Sequence, residues 1–303
     1  MKKRTLDIKK SRYSLIGKTV AISGATGGLG RELCFRFASL GASLLLLDRN
    51  KARSLSLIDE LCEKFPSLRA EHITLDLENI EEVKRVADEL CKIELDYLVL
   101  NAGAYSIPRH KCSTGYDNVF QINFVSPYYL ARRLLPTIKA RGGRIVAVGS
   151  IAHNYSRIDE NDVDFSGRGA ASKVYGNAKR YLMYSLFGSE EYGKALVVAH
   201  PGIAVTNITS HYPKLIYALI KYPMKVIFMS PKKACLSILC ALFEECGKNE
   251  WIGPRFFDVW GKPQVKELRS CSLDEARKIT EITEKIYEKI SFEDEDHDKT
   301  HHE

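Results

Sequence analysis

Nowhere in the 303-residue chain is there an apolar run of about 18 residues, the length a helix needs to cross a bilayer. A transmembrane helix is therefore not expected. No secretory signal opens the sequence. None of the eight cysteines, at 34, 62, 91, 112, 235, 240, 246 and 271, falls in a CxxC pair. That pattern excludes a disulfide or zinc framework and points to reduced thiols in a cytoplasmic protein. The eight histidines show no ligand spacing, so no metal site is expected. Nucleic-acid binding would need a basic stripe with stacking aromatics. Basic residues gather only at the N-terminus and in one later segment, residues 203–242, which has no acidic side chain at all.

What is present suffices for a large core: 45% of the residues are hydrophobic. The length admits one domain or two. An almost continuous alternation of strand and helix patterns selects one, over residues 16–290. Lys2, Lys3, Arg4, Lys9, Lys10 and Arg12 crowd the start against Asp7, and the last dozen residues hold six acids against Lys299. Residues 1–15 and 291–303 are therefore expected to be solvated, poorly ordered tails of opposite charge.

Tyr175 and Lys179, in YGNAK, are four residues apart and share one face of a helix. A phenol ionises near pH 10 (roughly), and a neighbouring ammonium favours the phenolate. Such a tyrosine can exchange a proton with an alcohol or a carbonyl. Tyr217 and Lys221 repeat the spacing in YALIK, but no serine-ending strand precedes them. That second pair is expected to be structural.

The N-terminal region supplies the context. TVAIS, residues 19–23, reads as a buried strand. SGATGGLG follows, with Gly24, Gly28 and Gly30, and then the helical pattern RELCFRFASLG. Strand, glycine turn and helix form a unit that cradles phosphate on backbone N–H groups. The next strand, SLLLLD, ends in Asp48, 24 residues beyond Gly24. A carboxylate there accepts hydrogen bonds from the adenosine ribose and repels a 2′-phosphate, so NAD is favoured over NADP. Arg49 is the contrary signal, because a guanidinium can pair with that phosphate.

With these residues in place, the chain resembles the short-chain dehydrogenase/reductase superfamily. LDL at 75–77, NAG at 101–103, Asn123 in FQINFVSP, Ser150 in IVAVGS, YGNAK, and PGIAVT at 201–206 follow in the family's order. The segment VGSIAHNYSRI, with Ser150 and Tyr175 25 residues apart, is similar to the retinol dehydrogenase-like subgroup. The resemblance implies a single-domain α/β Rossmann fold, a doubly wound parallel sheet with helices on both faces. It implies a catalytic set of Asn123, Ser150, Tyr175 and Lys179. It implies cofactor contacts from Ser23, Gly24, Gly28, Leu29 and Gly30 in the turn, and from Asp48, Arg49, Asp76 and Leu77 around the adenosine. Asn101, Ala102, Gly103, Tyr175, Lys179, Pro201, Gly202 and Thr206 complete the expected set. One departure is Ala178, where the family carries a serine that contacts the cofactor.

In the family, the region about 203–229 covers the substrate. Here Lys214, Lys221 and Lys225 lie among Leu215, Ile216, Tyr217, Leu219, Ile220 and Phe228. The segment reads as a structural lid with solvated lysines, as an apolar substrate pocket, or as a surface touching anionic lipid. The pocket is the favoured reading. Further on, WIGPRFFDVWGKP is expected to give an edge strand and turn. A helix beginning at Ser272 should pack on the domain or on a second subunit of a homo-oligomer.

The leading expectation is an NAD(P)-dependent oxidoreductase that interconverts an alcohol and a carbonyl on a hydrophobic small molecule. A carbon–carbon double-bond reductase on the same fold and a silent NAD(P) sensor are the alternatives.

Overall fold

The computed structural model describes residues 4–6, 13–188, 192–203, 229–247, 249–268 and 271–299. The apolar run Thr19–Ser23 forms β2 at the middle of a sheet. It is flanked by β3 (Ser43–Asp48) and β5 (Tyr97–Leu100), both parallel to it. β4 (Ala70–Thr74) lies outside β3, while β6 (Arg144–Val148), β7 (Leu196–Ala199) and β8 (Glu250–Phe256) continue beyond β5, all parallel. β9 (Trp260–Glu267) turns back antiparallel on β8. β1 (Arg4–Thr5) closes that side, so the sheet reads β1-β9-β8-β7-β6-β5-β2-β3-β4.

Helices cover both faces, as the doubly wound expectation required. One layer holds α1 (Gly28–Ser39), α2 (Lys51–Lys64) and α7 (Pro231–Ala241), packed through Leu33, Phe37, Leu57, Leu61 and Ile238. The other holds α3 (Ile80–Cys91), α5 (Ser126–Ala140), α6 (Ala171–Gly188) and α8 (Leu273–Lys299), packed through Val83, Leu134, Tyr181 and Ile279. The central strands are buried on both sides, which explains their unbroken apolar runs. A short turn, α4 (Asn118–Phe120), runs into a π-helical turn over Gln121–Val125 before α5 begins.

Three sequence expectations are corrected. Residues 1–15 are not a tail throughout. Arg4 and Thr5 pair with Val265 and Gln264, Leu6 is buried, and the Tyr13 hydroxyl donates to Glu244 Oε1 at 2.9 Å. β8 is not an edge strand. Trp251, Ile252, Gly253 and Pro254 are all buried, because β7 flanks it on one side and β9 on the other. The C-terminal helix, capped by Ser272 Oγ accepting from Glu275 N (3.1 Å), runs through the acidic stretch to Lys299. All eight cysteines are free thiols. Among the described residues, no helix is long and apolar enough to cross a membrane. Tyr217, Lys221 and the segment 204–228 lie outside the described residues.

Candidate active site

Strand order reverses between β2 and β5, and a crevice opens there at the carboxyl ends of the parallel strands. It forms a cleft of about 980 Å³. On its first wall lie Ser23, Gly24, Gly28, Leu29 and Gly30. A Cβ on Gly30 would sit 2.1 Å from the Gly24 carbonyl oxygen, so α1 reaches the turn only without a side chain. A Cβ on Gly28 would meet no atom within 4 Å. Gly27, the residue before α1, offers no capping side chain, and the first turn carries no acid. The helix thus presents free N–H groups and its positive end to the cleft, a ready site for phosphate.

Asp48, at the end of β3, is buried against this turn. The Thr26 N–H and hydroxyl donate to its two oxygens, each at 3.2 Å. Burial pushes the Asp48 carboxyl up to about 6, against the opposing hydrogen bonds from Thr26. Arg49 stands exposed beside it on the cleft wall. Asp76 and Leu77 follow β4 and line the same end. Asn101 fastens the next wall: its Nδ2 donates to the carbonyls of Ser23 and Gly24 at 3.0 Å, and Ser23 Oγ accepts from Asn101 N and Ala102 N at 3.1 Å. A phosphate cradle, a buried carboxylate beside it and a long cleft together fit a nicotinamide dinucleotide.

The reacting end is built from three elements. Ser150 follows β6, and its Oγ accepts from Ala152 N at 3.2 Å to start a 3₁₀ turn over Ile151–Tyr155. Tyr175 and Lys179 are one turn apart on α6. A Cβ on Gly176, between them, would lie 2.3 Å from the Ala152 carbonyl, so this glycine lets α6 close onto the serine turn. Burial pushes the Tyr175 phenol up to about 12; the neighbouring Ser150 side chain opposes this and Tyr105 adds to it. The Lys179 ammonium lies 5.7 Å from the Tyr175 ring centre and donates to the Val148 carbonyl at 3.0 Å. Burial brings Lys179 down to about 8. Desolvation thus sets the direction of the shift at both groups.

Asn123 sits in the π-helical turn, fully buried behind the cleft rather than on its wall. Its Nδ2 donates to the carbonyls of Val119 and Ala104, both at 2.8 Å, and its Oδ1 accepts from Ala104 N at 3.3 Å. A Cβ on Gly103 would come within 2.8 Å of that Oδ1, which ties the NAG segment to the bent helix. Pro201 and Gly202 line the far end of the cleft; Thr206 lies outside the described residues. Ala178 is fully buried in the core, so its lost hydroxyl faces packing rather than the cleft.

The long interval before Tyr175 forms a wall. Arg109 donates to the Phe165 carbonyl at 2.8 Å, Asn177 Nδ2 to Val163 O at 2.8 Å, and Phe165 packs with Val119 and Val174 against Tyr175. Sequence reasoning missed several residues that line the cleft or support its wall. Thr26 lies inside the glycine motif and could have been read as a partner for Asp48. Tyr105, whose ring stands edge-on to Tyr175 at 5.4 Å, and Ile107 and Tyr155 carry no local signal. Glu78, His110 and Cys112 bring three ligand-type atoms within 4.8 Å of one another at the cleft rim. Asn118 Nδ2 donates to both the Pro108 carbonyl and His110 Nδ1, so the other ring nitrogen carries a proton toward Glu78, 3.0 Å away. That tautomer makes the imidazole a hydrogen-bond donor rather than a metal ligand.

A family model for short chain dehydrogenases matches residues 18–161. Short chain dehydrogenase resG of Aspergillus sclerotiorum is 33% identical over 234 residues, 65% of this chain and 65% of that protein, so the chain spans just under two thirds of that relative's length. Human retinol dehydrogenase 14 is 30% identical over 296 residues, 88% of this chain and 85% of that protein. A crystal structure of an uncharacterized protein from Mycobacterium paratuberculosis superposes with a TM-score of 0.69 at 22% identity, covering 91% of this chain and 95% of that one. Likeness of sequence across most of both chains, on a sheet of this order, places the chain in the short-chain dehydrogenase/reductase superfamily, a family of NAD(P)-dependent oxidoreductases, among its retinol dehydrogenase-like members.

Proposed function

We propose that the chain catalyses the interconversion of an alcohol and a carbonyl on an apolar small molecule, with NAD(H) as the preferred cofactor. The observation that carries this reading is that Ser150, Tyr175 and Lys179 line the same cleft as the glycine cradle. The nicotinamide supplies or accepts the hydride. Tyr175 Oη carries the proton, and burial keeps it in the protonated state that donation to a carbonyl oxygen needs. Ser150 Oγ fixes that oxygen in place. Lys179, buried beneath, is the charge that can draw the phenol back toward ionisation for the reverse direction. Positioned acid catalysis of this kind contributes about 10²–10⁴ in rate. Orientation and electrostatics supply the rest.

Two observations support an apolar substrate. The cleft around Tyr175 is walled by Tyr105, Ile107, Ile151, Tyr155 and Ile203. A relative that this chain matches over 88% of its length is named for retinol. Asp48, held by Thr26 at the adenosine end, supports NAD.

The test is a screen of the purified protein with NADH and NADPH against aldehydes and ketones of rising chain length, beside Tyr175→Phe. We expect kcat/KM to rise with apolar length and Tyr175→Phe to lose at least about 10²-fold in kcat. Its cofactor Kd should stay within a few-fold of the unmodified protein. A Tyr175→Phe enzyme that turns over normally would overturn the assignment.

A further inference from the structure

We propose that the β8–β9 hairpin tip is a docking surface for anionic membrane, holding the mouth of the cleft against the bilayer. Three large aromatic side chains stand in water on this short turn: Phe257 is 88% exposed, Trp260 50% and Phe256 39%. Phe256 and Trp260 stack with their ring centres 4.6 Å apart. They form one patch rather than scattered apolar residues.

The backbone is bent to display them. Val259 N donates to the Phe256 carbonyl at 3.0 Å, closing a four-residue turn whose central residues, Phe257 and Asp258, both have positive φ, 51° and 58°. That conformation suits Asn and Gly, and a phenylalanine adopts it at a cost. Among the described residues the side chain gains little burial in return, standing 88% exposed. Burial in a lipid interface would supply the missing compensation, since Trp and Phe partition to the headgroup boundary.

Charge at the tip has the matching sign. Arg255 and Lys262 are exposed on either side of the aromatics. The tip's only acid, Asp258, is paired with Lys266. Arg255, whose guanidinium lies 5.2 Å from the centre of the Phe256 ring, and Lys262 put two exposed cations beside three aromatics, complementary to an anionic leaflet, in a chain with a formal net charge of +7. The tip is also continuous with the cleft. Ile203, on the cleft wall, donates through its N–H to the Val259 carbonyl at 3.2 Å, and Met229 N donates to the Ile203 carbonyl at 2.9 Å. A bilayer touching Phe257 would therefore lie beside the reacting end of the site. An apolar substrate dissolved in the membrane could enter without crossing water.

The surface is tested without turnover, so its failure and that of the proposed chemistry are distinguishable. The chain has two tryptophans, of which Trp251 is buried and Trp260 exposed. Titrating the full chain with vesicles of phosphatidylcholine containing 30% phosphatidylserine (roughly one anionic lipid in three) should shift Trp260 emission to the blue, as its indole leaves water. Pure phosphatidylcholine vesicles should give a much smaller shift. Phe257→Ser should weaken vesicle binding at least about tenfold, and removing either charge, Arg255→Gln or Lys262→Gln, about fivefold each. Cofactor binding and Tm, measured on the same variants, should not change, because these side chains are exposed. No blue shift with anionic vesicles overturns the proposal. So does undiminished vesicle binding by Phe257→Ser. A concentration-dependent dimer that Phe257→Ser abolishes, without vesicle binding, would show the patch to be a contact between copies instead.

Discussion

On the proposed reading, Asp48 carries both selectivity and pH dependence. Its carboxyl is buried and held by Thr26, and its pKa is pushed up to about 6. The sign follows from linkage. A raised carboxyl is neutral in the fold below about 6 and pays for its charge above it. Only the ionised form accepts both ribose hydroxyls and repels a 2′-phosphate. We therefore expect NADH affinity to weaken as the pH falls below about 6, approaching tenfold per pH unit until bound cofactor no longer selects the ionised form. The NADH-over-NADPH preference should shrink over the same window. Asp48→Asn should show the weaker NADH binding at all pH values and no such slope. Calorimetric titration of both cofactors between pH 5 and 8 (roughly, the window around this group) reads the effect. A flat NADH profile in the unmodified protein would show that Asp48 does not contact the ribose.

Among the elements, α6 is the one whose placement decides the chemistry, and Arg180 fixes it. This arginine, adjacent to Lys179, is fully buried, yet its guanidinium forms a two-pronged pair with Glu275 of α8 at 2.7 and 2.6 Å. Its Nη1 donates to the His153 carbonyl in the Ser150 turn at 3.0 Å. One side chain thus joins the serine turn, the tyrosine helix and the C-terminal helix. Burial works against the Glu275 charge, but Arg180 holds its carboxyl below the usual range. The contribution of that carboxylate is present above its ordinary pKa and lost as the pH falls through the lowered one. Glu275→Ala takes away the buried guanidinium's carboxylate partner, at a cost of about 3–5 kcal/mol. Thermal melts should show a Tm lower by about 10 °C or more. Well below that melting point, kcat should fall more than cofactor affinity, since the glycine cradle lies on the other helix layer. Equal loss in both would mean that Arg180 supports the fold without orienting α6.

For the whole molecule, the N-terminus and the β8–β9 hairpin extend the parallel sheet and finish its edge. β1 covers β9, Leu6 N donates to the Pro263 carbonyl at 2.9 Å, and the Leu6 side chain is buried. Deleting residues 1–6 removes that burial, about 2 kcal/mol, and bares the β9 edge to pairing with other chains. We expect Tm to drop by about 4–8 °C and light scattering to rise on warming. An unchanged melt would make β1 an ornament rather than part of the sheet.

Much of this molecule was legible before any coordinates. Thr19–Ser23, the glycine turn and Asp48 are read in sequence because strand, turn and helix are local and their residues consecutive. Tyr175 and Lys179 are read because a helix repeats every turn. Long-range partnership left no such trace. Nothing in the run Arg4–Thr5 announces that it will find Val265. Nothing in Arg180 announces Glu275, 95 positions away. β8 reads as an edge strand until β7 and β9 flank it, because burial on two faces depends on what packs there. The charge states were decided in the same way. Spacing put Lys179 beside Tyr175, but that both groups are buried, and that desolvation sets the direction of each shift, is encoded in no local pattern.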